Sequence, residues 1–214
     1  MNRVLFFVLL TISSAASGAI TYGPVQWSIA DGGNGHYYQL VDYQTGISWT
    51  SAKSDAETMT LFGSIGHLVT VTSAPEDAFL KSNFQAYIGD PPSVPGIFAW
   101  IGLSDAASEG NFVWVTGEPL TYTNWAPPEP NGGTSENYVH LWVRKFTGSD
   151  LDPVNGTPLW SWNDVFNDRG PEWRGAFIEF DGPFTSNAAV PEPSTLIIWA
   201  MGMIAVANGR KRRK

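Results

Sequence analysis

His67-Leu68-Val69-Thr70-Val71-Thr72-Ser73-Ala74-Pro75-Glu76 is the stretch in which this chain changes its period. Up to Thr72, apolar and polar residues alternate, which sends successive side chains to opposite faces of a strand. Ser73 then stands at a helix N-cap, with Pro75 in the first turn and Glu76 three residues on. A serine oxygen accepts from an otherwise unpaired first-turn amide and a glutamate at the third position answers it, so a helix is expected through Phe84.

Working outward, residues 37–41 are rich in strand formers. Residues 48–62 carry Trp49, Ala52, Ala56, Met59 and Leu61 near helical spacing, with no interior Pro or Gly, and predict an earlier helix. Beyond a Pro/Gly-rich loop at 90–96, the chain turns to strands expected at 98–103, 111–115, 138–143, 159–162 and 176–180. Two early helices followed by strands define an α+β domain, and no internal repeat is visible.

The 214 residues allow one domain with terminal extras. With 22 Gly, 15 Pro and only 15% charged residues, the domain is loop-rich, and its 10 Trp, 12 Phe and 7 Tyr supply the core. The formal charge is −8. Setting aside residues 1–19 and 191–214 leaves 6 basic and 19 acidic residues, a net of −13, which disfavours nucleic acid as a partner. The chain has no cysteine, so disulfides, thiolate metal sites and a cysteine nucleophile are excluded.

Both ends carry addresses. Residues 1–19 combine Arg3, an apolar run at 4–12 and small residues ending Ser17-Gly18-Ala19, the pattern of a secretory signal peptide. At the other end, Val190-Pro191-Glu192-Pro193-Ser194 precedes an apolar segment at 196–207 and the basic close Arg210-Lys211-Arg212-Arg213-Lys214. That apolar segment is short for a spanning helix, which needs about 20 residues. The tail resembles the PEP-CTERM sorting signal of Gram-negative bacteria. The resemblance implies transient membrane contact, exosortase processing and delivery to the cell surface or extracellular matrix. The expected organisation is a signal peptide at 1–19, a domain at 20–189 with its core at about 34–182, and a sorting tail at 190–214.

Glu129-Pro130-Asn131, Glu136 and Trp162-Asn163-Asp164 place five oxygen-bearing side chains on two loop-like stretches. Such oxygens suit calcium, which takes roughly 6–8 oxygen ligands and would have positions left for sugar hydroxyls. In order along the chain, Trp100-Ile101-Gly102-Leu103, Gly110-Asn111-Phe112-Val113-Trp114, Tyr122-Thr123-Asn124-Trp125, the stretches above and Phe177-Ile178-Glu179-Phe180 resemble a C-type lectin-like domain.

That resemblance implies two helices packed on antiparallel sheets, with a long irregular loop region. It implies calcium as cofactor, held by Glu129, Asn131, Glu136, Asn163 and Asp164, with a cis bond before Pro130. The same five residues would then hydrogen-bond a glycan or exopolysaccharide, the EPN order going with mannose-, fucose- or glucose-type ligands. Three departures stand out: the missing cystines, Pro127-Pro128 ahead of the motif, and an apparent insertion from Arg144 to Pro158. The rival function is a structural or adhesive matrix protein that uses the fold for protein contacts.

Trp100, Trp114 and Trp125 are expected in the scaffold, with Trp142 and Trp160 left open as sugar platforms. His36, His67 and His140 lack metal-ligand spacing and are expected to be structural. Asp150 and Asp152 read as a solvated loop, and Asn155-Gly156-Thr157 as a sequon by pattern only. No nucleophile elbow, HExxH, P-loop or dinucleotide fingerprint is present, so enzyme activity is not expected.

Overall fold

The computed structural model describes residues 18–88, 97–144, 159–168 and 170–182. The strands are β1 (Ile20–Gln26), β2 (Tyr37–Asp42), β3 (Thr60–Leu61), β4 (Ser64–Leu68), β5 (Ala99–Ser104), β6 (Val113–Trp114), β7 (Tyr138–Arg144), β8 (Leu159–Val165) and β9 (Gly175–Phe180). Helix α1 spans Trp49–Ala56 and α2 spans Ala74–Phe84. The sheet runs β1-β2-β9-β5-β7-β8, with β4 also on β9 and β6 on β5. Its pairings are antiparallel except β5–β9, which is parallel.

Alternation along the central strands builds a core on each face of the sheet. Tyr38, Leu40, Ile101 and Phe177 pack with Leu80 and Phe84 of α2. Their neighbours Val41, Trp100, Ala176 and Ile178 pack with Trp49, Ala52 and Ala56 of α1. Gly102 sits where the chain after β4 crosses β5: a Cβ there would lie 2.6 Å from the Leu68 carbonyl oxygen. Its amide donates to Val69 O at 2.8 Å, a contact a side chain would prevent.

Several expectations need adjustment. Helix α1 stops at Ala56 rather than running to residue 62. Met59 and Leu61 are buried, but Leu61 lies in the β3–β4 hairpin, whose turn residues Phe62 and Gly63 have φ of 50° and 89°. A hairpin turn with two positive φ angles is usually signalled by Asn-Gly, so Phe62 hid it. Strand β4 begins and ends earlier than the alternation at 67–72 suggests. Residues 69–72 still run beside β5 and β9, through Val69 N to Phe177 O and Gly102 N to Val69 O.

Ser73 does cap α2, accepting from Glu76 N at 3.3 Å. The Glu76 carboxylate, however, accepts from Thr72 N at 2.8 Å and from the Tyr38 hydroxyl at 2.6 Å, so it anchors the helix to β2. Strand β8 continues through Val165, which puts Asn163 and Asp164 on a strand rather than a loop. Cross-strand bonds to Tyr138–His140 override the local turn preference of Asn-Asp. The expected signal peptide up to Ser17, the loop at 89–96, residues 145–158 of the insertion with Asp150, Asp152 and Asn155, and the sorting tail lie outside the described residues, as does the Trp142 side chain.

Candidate functional site

The segment Asn124–Trp125–Ala126 docks beside β8. Trp162 N donates to Asn124 O at 2.7 Å and Ala126 N donates to Trp162 O at 2.9 Å. The Trp162 ring, fully buried, holds this junction. Trp114, Tyr122 and Trp125 meet it edge-to-face, with centroids 5.6, 5.7 and 5.8 Å away. Asn124 Nδ2 donates to Trp160 O at 2.8 Å and to Asp77 Oδ2 at 3.1 Å, while Trp160 Nε1 donates to Asp77 Oδ1 at 3.1 Å. Burial pushes the Asp77 carboxyl up to about 6, against the pull of those two bonds. Asn124, Asp77 and Trp160 therefore fasten the loop to α2, and Trp160 is buried scaffold rather than a sugar platform.

From this anchor the chain turns back at Glu129, whose amide donates to Ala126 O. The Glu129–Pro130 bond is cis, as is Pro127–Pro128. Asn131 N and Gly132 N donate to the two carboxylate oxygens of Asp164, at 3.3 and 3.4 Å. The two distant segments thus meet. The Asn131 side chain is exposed. Glu136 packs on Gly132, where a Cβ would collide with the Glu136 side chain.

The Asn163 amide nitrogen donates to both carboxylate oxygens of Glu129, at 2.9 and 3.2 Å, and its oxygen accepts from His140 Nε2 at 3.2 Å. Burial pushes the Glu129 carboxyl up to about 7, and the charges of Asp164 and Glu136 add to that push. Three neighbouring carboxylates whose charges oppose one another are a fitting set for a hard cation.

His140 lies opposite Asn163 in the β7–β8 ladder and is buried, so it steadies that amide. Nothing local in the sequence marks it; the register does. The ladder ends at Arg144↔Leu159, four residues along β8 from Asn163. At ~3.4 Å per residue, the root of the insertion lies roughly 14 Å from the site.

The Lectin C-type domain model matches residues 48–166, and the PEP-CTERM protein-sorting motif matches 189–213. The chain therefore belongs to the C-type lectin domain family and ends in a PEP-CTERM sorting motif. Halomucin of Haloquadratum walsbyi is 32% identical over 66% of this chain but only 2% of its own length. The alpha-N-acetylgalactosamine-specific lectin of Patiria pectinifera is 31% identical over 62% of this chain and 68% of its own. Among solved structures, the EPNH mutant of CEL-I matches with a TM-score of 0.50 and 25% identity, covering 68% of this chain and 89% of that one.

Proposed function

We propose that this domain is an exported, calcium-dependent carbohydrate-binding module that acts at a bacterial surface or in its extracellular matrix. One observation carries the reading: the Glu129 carboxylate lies beside Asn163 and Asp164 and feels the charge of Glu136, although these residues come from segments far apart in sequence. Glu129, Asn131, Glu136, Asn163 and Asp164 would hold calcium, which supplies open coordination positions for vicinal sugar hydroxyls. The residues divide the remaining work: amide nitrogens donate to hydroxyl oxygens, and carboxylates accept from hydroxyl hydrogens.

Glu129 and Asn131 flank Pro130 in the order that goes with mannose-, fucose- or glucose-type hydroxyls. The Patiria relative is named for a different sugar, so the preference rests on these side chains rather than on kinship. Relatedness to lectins, together with a sorting motif, supports a binding role over a catalytic one.

Calorimetry with calcium, then with mannose or galactose, tests the proposal. The expected result is mannose-type heat only when calcium is present; the absence of calcium-dependent sugar heat defeats it. Exchanging Glu129→Gln together with Asn131→Asp reverses the donor–acceptor order and is expected to move preference toward galactose. An unchanged preference would refute the hydroxyl-matching argument while leaving calcium binding intact.

A further inference from the structure

We propose that His36, Glu179 and Asp181 form a second cation site, one for a divalent transition metal of the zinc class, on the α2 face of the sheet. The register of three strands assembles it. Tyr38 pairs with Glu179, and Glu179 pairs with His67 on its other side. Side chains alternate with a period of two, so His36 and Asp181, each two residues along, share the face of that rung. Residues from positions 36, 67, 179 and 181 thereby become neighbours, although no local motif joins them.

The distances suit a small ion. His36 Nδ1 lies 2.7 Å from Glu179 Oε1 and 3.4 Å from Asp181 Oδ1. One ligand atom from each of the three falls within 4.8 Å of the others. Tetrahedral zinc, with bonds of ~2.0–2.1 Å, sets its ligand atoms about 3.3 Å apart. The His36–Asp181 pair already meets that spacing, and the His36–Glu179 pair reaches it by opening roughly 0.6 Å.

The surroundings hold the ligands in place. Glu179 Oε2 is occupied by Thr70 N at 2.9 Å, which leaves Oε1 turned to His36. His67 Nε2 bonds Asp181 Oδ1 at 3.0 Å, and its Nδ1 lies 2.9 Å from Leu68 O. Such outer partners orient metal ligands and keep their carboxylates charged. The Glu179 side chain is 3% exposed, while those of His36 and Asp181 are 25% and 54% exposed. An ion can enter from solvent and keep a water in its fourth position. One imidazole with two carboxylates favours a transition metal, whereas calcium prefers oxygen throughout. In a chain without cysteine, such an ion would clip the start of β2 to the end of β9.

The test uses the full chain saturated with calcium, so that the Glu129 cluster does not compete. Zinc chloride is titrated by calorimetry, and cobalt(II) is followed by its visible absorption. The expected result is one zinc per chain, weakened by at least about tenfold in both His36→Gln and Asp181→Asn. It should be unchanged in Glu129→Gln. In NMR spectra, zinc should move the imidazole signals of His36 and leave those of His140 in place. The assignment is overturned if the wild-type chain shows no zinc binding up to ~100 µM. Undiminished binding by the two variants, or zinc shifts at His140 alone, would also overturn it. Absent zinc binding, or binding undiminished in the two variants, leaves the calcium and sugar reading untouched.

Discussion

At Glu129, three carboxylates gather beside an amide; at Glu179, two carboxylates face two imidazoles. The first cluster pushes the Glu129 carboxyl up to about 7. In the second, the His67 hydrogen bond holds the Asp181 carboxyl below its usual range. Burial disfavours a charge on His67, yet the bond to Asp181 and the charge of Glu179 outweigh it and raise that imidazole to about 9. The same balance raises His36. Equal numbers of residues thus give opposite electrostatics: in one cluster the carboxylates oppose one another's charge, and in the other the imidazoles offset it. A metal at the second must displace a proton from nitrogen, which favours zinc-class ions over calcium.

The largest effect that could break this contrast is at Glu129. Glu129→Ala should weaken calcium and sugar together by more than about 100-fold, because a ligand and a charge leave at once. Calorimetry that finds sugar binding retained would show that the oxygens of this cluster are not the ligand set. Next in size is stabilisation by the ion. Calcium at 100 times its dissociation constant should add about 2.7 kcal/mol, a melting shift of roughly 5–10 °C for a domain of this size. The shift should vanish in Glu129→Ala and persist in Asp181→Asn. Persistence in both would place calcium elsewhere.

Asn124→Ala tests how the loop is fastened. It leaves the buried Asp77 carboxyl with one bond fewer and should cost about 1–3 kcal/mol, read from urea unfolding. Calcium affinity should fall with it, since the loop carrying Glu129 hangs from that anchor.

The smallest effect is a pH slope. Without calcium, the Glu129 carboxyl is raised above its unfolded value, so the folded chain binds the extra proton. Its contribution is present below about 4.5 and fades as pH rises to about 7. His67 behaves alike over a higher window: its contribution is complete below about 6.5 and fades as pH rises through about 9. Urea midpoints measured in chelator should show the lower slope vanish in Glu129→Gln while the upper one remains. With calcium present the lower slope should reverse, because protonation then expels the ion.

Much of the scaffold is legible in local sequence. The start of α2 and its Ser73 cap leave their signals within a few residues. Failures occur where a distant partner decides. Leu61 joined a hairpin because Phe62 accepts a positive φ, against its type. The Glu76 carboxylate bypassed the cap for Thr72 and Tyr38, a choice that only β2 packed on α2 makes available. His140 could not be picked out as the partner of Asn163, because its place follows from β7–β8 register alone.

The residues by themselves determined the α+β class, the family and which side chains have oxygens to offer, since each depends on identity, order and short-range period. Only the tertiary structure decided which oxygens meet. The pairing of Trp162 with residues 124–126 brings Glu129 to Asn163, and the β2–β9–β4 register gathers His36, His67, Glu179 and Asp181 on one face. The physical reason is that a one-residue slip in register turns every side chain to the opposite face, and register is set by long-range packing that no local window contains.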